Sequence, residues 1–147
     1  MSYEERGQWV YLVVIVAAFG AYVGLVLSRA GGTPLAEVDY VPIMLWTIGL
    51  AIAASIIGRI GVEVIGRIGE EASGQPEGLT ADVRDRDIDR FGEYVGGIVL
   101  GVGMVAPFVL AMVEADHFWI ANAMYLVFAL AAMVGTAVKL IAYRRGL

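Results

Sequence analysis

Charged residues avoid four long stretches of this chain: Trp9 to Leu27, Val41 to Gly58, Tyr94 to Val113 and Phe118 to Val138, of 19, 18, 20 and 21 residues. A helix rising ~1.5 Å per residue needs about 20 apolar residues to cross a ~30 Å hydrocarbon core, so each stretch predicts a transmembrane helix. The predicted fold class is all-α: a four-helix transmembrane bundle occupying residues 1–147 as a single membrane domain, with spans at 9–27, 41–58, 94–113 and 118–138. What lies outside the spans is short ends, two small loops and one charged segment, 59–93, between the second and third spans.

That segment has a pattern of its own. From Ile56 the helical signal continues through Gly58-Arg59-Ile60-Gly61-Val62-Glu63-Val64-Ile65-Gly66-Arg67, which puts Arg59, Glu63 and Arg67 on one face at i, i+4, i+8. An extension of the second helix by about two to three turns is expected. Glu71-Ala72-Ser73-Gly74-Gln75-Pro76-Glu77-Gly78 reads as a turn. Thr80 or Asp82 then opens an amphipathic helix that runs unbroken into the third span. At ~100° per residue, Asp82, Asp85, Asp89 and Glu93 form an acidic stripe, bordered by Arg86 and Arg90, while Ile88, Phe91 and Val95 form an apolar one. The whole of 59–93 is thus expected to be an amphipathic helical hairpin, with Arg84 also among its charged positions.

Small residues punctuate the spans. Gly20, Gly24 and Ser28 recur every fourth residue on the first helix, Gly92, Gly96, Gly97, Gly101 and Gly103 crowd the third, and Ala131 and Gly135 pair on the fourth. In lipid such residues let backbones approach and gain van der Waals contact. Pro107 has no amide for the carbonyl of Gly103, so a kink is expected there. Only Glu114-Ala115-Asp116-His117 separates the last two spans, which must then run antiparallel, with Asp116 as a cap for the final helix.

Composition narrows the chemistry. Hydrophobic residues make up 59% of the chain and charged ones 17%, too apolar a balance for a soluble domain. There is no Cys, which removes thiolate chemistry, disulfide exchange and Cys-ligated metals, and the single His117 removes a bis-histidine haem within one chain. A net charge of −5 offers no basic surface for nucleic acid. If the N-terminus is cytoplasmic, nine of the ten basic residues fall inside and only Arg29 outside, so both termini are expected in the cytoplasm of a multi-pass cell-membrane protein. Trp9, Tyr94 and Tyr143 then mark the inner interface, and Tyr40, Trp46 and Trp119 the outer one.

Two polar groupings are candidate sites. The first is the charged hairpin: Arg59, Glu63, Arg67, Asp82, Arg84, Asp85, Arg86, Asp89, Arg90 and Glu93. Its carboxylates have the oxygens a divalent cation wants, but the interspersed arginines would repel one, so a protein-docking surface or a solvated, internally ion-paired helix docked on the second helix's extension is the better reading. The second is an outer cluster of Glu114, Asp116, His117 and Asn122, with Glu37 and Asp39 in the other outer loop. A His among carboxylates suits a metal or a pH sensor, whereas a capped polar turn beside an aromatic belt needs neither. Gly-Arg-Ile-Gly at Gly58 and Gly66 follows no strand and lacks the spacing of a phosphate loop. No ionisable residue lies within a span; Thr47, Ser55, Asn122 and Thr136 are the notable polar groups there, and Asn122 with Tyr125 near the kink is either a small cavity wall or ordinary packing.

The run D-x-R-D-x-x-I-D-x-x-G-E-Y-V-G from Asp82 to Gly96, together with E-A-D-H-F-W-I-A-N-A from Glu114 to Ala123, resembles a family of small bacterial four-pass integral membrane proteins of actinobacterial type, whose function is unknown. Val83 stands where that pattern carries an acid. The resemblance implies the four-pass architecture and no mechanism. Taken together, the residues lead us to expect a non-enzymatic membrane protein without a cofactor, whose cytosolic hairpin docks a cytosolic protein or a second copy of the chain, with the lipid bilayer as its constant partner. The alternative is a permease or channel-like subunit that needs an oligomer to enclose a pathway.

Overall fold

The computed structural model describes residues 3–73 and 79–145, with side chains at 5–61, 64 and 83–145. The described chain is helical, without strands: α1 (Tyr3–Ala30), a 3-10 turn (Leu35–Glu37), α2 (Val41–Ser73), α3 (Leu79–Gly103), α4 (Val105–Met112) and α5 (His117–Arg145). Four helical stretches, Glu5–Ala30, Val41–Gly61, Val83–Met112 and His117–Arg145, are long and apolar enough to cross a membrane. The third comprises α3 and α4. Their junction is the expected proline effect: Pro107 cannot donate to the carbonyl of Gly103, and the helix breaks at Met104, where the amide still reaches Leu100 O at 2.9 Å and Phe108 N reaches Met104 O at 3.2 Å. α2 runs past Gly58 as far as Ser73, a longer extension than expected. The turn expected at Gly74 to Gly78 lies outside the described residues.

The helices pack in the lateral order α2, α1, α5, α3, with α4 also against α5. α5 is therefore the central post, and its antiparallel pairing with the third span is as the four-residue connection requires. Most side chains of the α2 extension, against which the charge pattern would dock α3, lie outside the described ones; among the described residues α3 finds its packing face on α5. The physical reason is at the α3–α5 crossing. A Cβ on Gly92 would lie 2.8 Å from the Gly135 carbonyl oxygen, one on Gly135 would lie 2.9 Å from that of Gly92, and one on Gly96 would meet Ala131 O at 3.1 Å. Only glycine admits this approach, and the van der Waals contact of two bare backbones outweighs what a few exposed ion pairs would contribute. The glycine stripe on α1 has a different fate: among the described residues nothing lies within 4 Å of a Cβ on Gly20 or Gly24, so none of the described helices packs there. α1 meets its neighbours through Tyr22, Val26 and Ala30, and through Val10, whose methyl would stand 3.0 Å from a Cβ on Gly58 of α2.

The two ends of the bundle are built differently. At the loop end, Tyr22, Val26, Ala30, Val38, Ile43 and Phe118 form a core, roofed by the 3-10 turn through Leu35 and Ala36. Phe118 takes Tyr40 edge-on with centroids 5.0 Å apart, and Tyr125 meets Phe19 and Tyr22 likewise at 5.4 and 5.0 Å. At the chain-end side, Arg144 Nε lies 3.7 Å from Glu5 Oε1 and its guanidinium stands over the Trp9 ring at 5.4 Å, clasping the start of α1 to the finish of α5. Between these ends the outward faces are apolar: Leu45, Ile57, Val102 and Met112 are each about two-thirds or more exposed, as expected where lipid is the solvent.

Candidate functional site

Because α2 and α3 flank the α1–α5 pair without forming a packing face with each other, the chain-end half of the bundle opens into a cleft of about 810 Å³. Every long helix contributes. Gln8, Val10 and Tyr11 come from α1, Ser55, Ile56 and Arg59 from α2, Asp89, Gly92, Glu93 and Gly96 from α3, and Ala131, Ala132, Gly135, Thr136 and Lys139 from α5. Its size is that of a small-molecule site, within the ~300–1,000 Å³ common for such pockets. Its lining mixes apolar and polar groups, with Thr136 and Lys139 the more buried and Val10 and Ile56 the more exposed.

Those charges are arranged by the crossing. Lys139 lays its alkyl stem across Gly92, which has no side chain to obstruct it, and its Nζ reaches Asp89 Oδ1 at 2.9 Å. Glu93, one turn along α3, stands 4.0 Å from the same ammonium and is three-quarters exposed. Lys139 is nearly buried and serves Asp89 first, so the Glu93 carboxylate still faces the opening. Across the cleft Arg59 is exposed on α2, without an ion pair among the described residues. One wall is thus cationic, the other a carboxylate beside a neutralised pair. Thr136 is buried and donates to Ala132 O at 2.7 Å, which satisfies its hydroxyl within its own helix.

The positions singled out from the sequence divide accordingly. Arg59, Asp89 and Glu93 meet around the cleft. Arg84, Arg86 and Arg90 are exposed on α3 and Asp85 is half-buried there. The helix backbone passes through Glu63, Arg67 and Asp82, whose side chains lie outside the described ones. The outer cluster does not converge. Asp116 Oδ1 accepts from Phe118 N at 2.8 Å and so caps α5, His117 is exposed in its first turn, and Glu114 is exposed in the connecting turn at φ 54°. Asn122 turns the other way: its Oδ1 accepts from the Tyr22 hydroxyl at 2.6 Å and its Nδ2 donates to Phe118 O at 2.8 Å. Asn122 and Tyr125 are therefore packing residues of the loop-end core. The hollow at the kink is a separate apolar dent of about 360 Å³ lined by Gly101, Met104, Val105, Pro107, Phe108, Ala111 and Met124. Among the described residues no three His, Asp or Glu side chains gather as a metal would need.

Sequence reasoning did not bring Gln8, Ser55, Thr136 or Lys139 into the site. Ser55 and Thr136 had a signal, being two of the few polar residues within spans, but nothing in their spacing says that they share a cavity. No family model matches this chain, and neither curated proteins nor solved structures provide a match.

Proposed function

We propose that this chain is a non-enzymatic binding subunit of the cell membrane, with both termini and the charged 59–93 segment in the cytoplasm, which docks a cytosolic protein or a second copy of itself at the mouth of the cleft. The orientation is supported by the distribution of Arg and Lys, nine of ten on the side of the chain ends, since basic residues near spans are retained in the cytoplasm. The observation that carries the docking reading is that Arg59 of α2, which has no ion pair among the described residues, and the exposed Glu93 of α3 both line the opening. Opposed charges at a partly solvated rim fix register and partner choice more than they add raw affinity. The resemblance to small four-pass bacterial membrane proteins belongs to the same reading and adds no activity to it. A photoreactive residue in place of Glu93 should crosslink in native membranes to one discrete protein species, whereas one in place of the lipid-facing Val102 should not. Equal, diffuse labelling at both positions would reject the docking reading.

A permease or channel-like subunit is the second reading, favoured by one feature: the cleft penetrates between spans as far as Ser55, Ala131 and Ala132. A pathway would have to continue past the loop-end core, through the Tyr22–Asn122 hydrogen bond. Labelling of Asn122→Cys by a water-soluble maleimide would support that reading; full protection alongside labelling of Ser55→Cys would leave a dead-end cleft.

A further inference from the structure

We propose that the cleft holds one phospholipid with a primary-ammonium headgroup, entering sideways from the adjoining leaflet between α2 and α3. This goes beyond the docking reading by assigning the cleft a resident lipid at the same Arg59 and Glu93, and it rests on the cleft being a binding site.

Three features of the site converge on an amphiphile. First is its place: it lies at the chain-end margin of the spans, where a headgroup resides, and its mouth lies between two helices that do not pack on each other. Second is its mixed lining. Val10, Ile56, Ala131 and Ala132 offer apolar surface to an acyl chain, with Val10 and Ile56 open to it, while Gln8, Arg59, Asp89, Glu93 and Lys139 supply polar groups. A water-soluble ligand would leave the first set uncovered, and a lipid tail without a headgroup would leave Arg59 and Glu93 without a ligand partner. Third is charge. Among the described residues the lining carries two cations and two carboxylates, and after Lys139 has neutralised Asp89 one charge of each sign is left, Arg59 from α2 and Glu93 from α3.

A zwitterion with its anion against an arginine and its cation against a carboxylate matches that pair. A guanidinium takes a phosphodiester through two N–H donors, and a carboxylate takes up to three N–H bonds from a primary ammonium but none from a quaternary one. An anionic lipid without an ammonium would meet Arg59 equally well yet bring its charge toward Glu93. The site therefore discriminates by N–H donation to Glu93, while Arg59 holds any phospholipid.

The test is lipid retention. The intact protein is reconstituted in vesicles of equimolar phosphatidylethanolamine, phosphatidylcholine and phosphatidylglycerol with identical acyl chains, extracted gently, and its bound lipid counted by native mass spectrometry. We expect one retained lipid per chain, phosphatidylethanolamine favoured over phosphatidylcholine by about tenfold, the equivalent of ~1.4 kcal/mol for the lost charge-assisted bonds. Glu93→Leu should abolish that preference and Glu93→Gln, which keeps an accepting oxygen without the charge, should weaken it, neither reducing total retention; Arg59→Gln should lower retention of all three lipids about tenfold, with Arg59→Lys restoring part of it. Both side chains are exposed, so an unchanged elution profile and melting point will certify the fold of each variant. Preference for phosphatidylglycerol, indifference among the three, or no lipid above the level of the Val102 face would each overturn the proposal. Those outcomes together with a discrete Glu93 crosslink would leave docking standing and remove only the lipid; the loss of both would remove the cleft as a binding site altogether.

Discussion

Gly92 and Gly135 carry a close backbone approach that positions the site, and neither has room for a methyl group: each would meet the other's carbonyl oxygen, and Gly92 would also meet the Lys139 stem. Gly92→Ala or Gly135→Ala should therefore push α3 off α5 and destabilise the protein by about 1–3 kcal/mol, the range for forced overpacking. Gly97→Ala and Gly101→Ala, where a Cβ meets nothing within 4 Å of this chain, should stay within about 0.5 kcal/mol of the parent. Thermal unfolding in one detergent compares the four, and similar shifts for all of them would mean that the crossing is not tight. The same residue scale explains why the outer cluster dissolves. Asp116 is committed to an amide of α5 and Asn122 to Tyr22, so two of its four members have local partners before any ligand is considered.

Between α3 and α5 the charges follow the backbone. The acidic stripe of α3 was legible as a stripe, but the residue that answers Asp89 is Lys139, fifty positions on, brought there by the glycine crossing. A double-mutant cycle with Asp89→Asn and Lys139→Met, the latter keeping the apolar stem over Gly92, should give a coupling of about 1 kcal/mol, above the average for exposed pairs because Lys139 is nearly buried. Because Asp89 is half-exposed, that coupling should weaken as ionic strength rises. A coupling indistinguishable from zero at low salt would make the pair incidental. At the other junction, Met104 separates α3 from α4 as Pro107 demands, which lets α4 follow α5 toward the loop end while α3 holds the cleft wall.

For the whole molecule, the loop end is sealed by aromatic packing and the chain end is clasped only at its edge by Glu5, Trp9 and Arg144, leaving the cleft between. The absence of native cysteine makes its sidedness directly measurable. In sealed vesicles of known orientation, an impermeant maleimide should reach Glu114→Cys from one face and Arg90→Cys from the other, the latter on the face shared with both chain ends. Labelling of both from one side would mean that α3 and α4 together do not cross the membrane.

The residues alone were enough for several features that depend on a short range of chain, though not for the 3-10 turn at Leu35–Glu37 or the full reach of α2 to Ser73. Four uncharged runs of 18 to 21 residues imply four spans, Pro107 implies a break, Asp116 implies a cap, and the four-residue connection implies an antiparallel pair. The partnering of the helices was decided only by the tertiary structure: that α5 is central, that Gly92, Gly96 and Gly135 are used while Gly20 and Gly24 face away, and that Arg59 and Glu93 line one cleft. The reason is the solvent. In water a helix declares its buried face by an apolar stripe, but in lipid the outward face is as apolar as the inward one, so hydropathy along a span cannot say which side meets a neighbour, and close packing chooses instead.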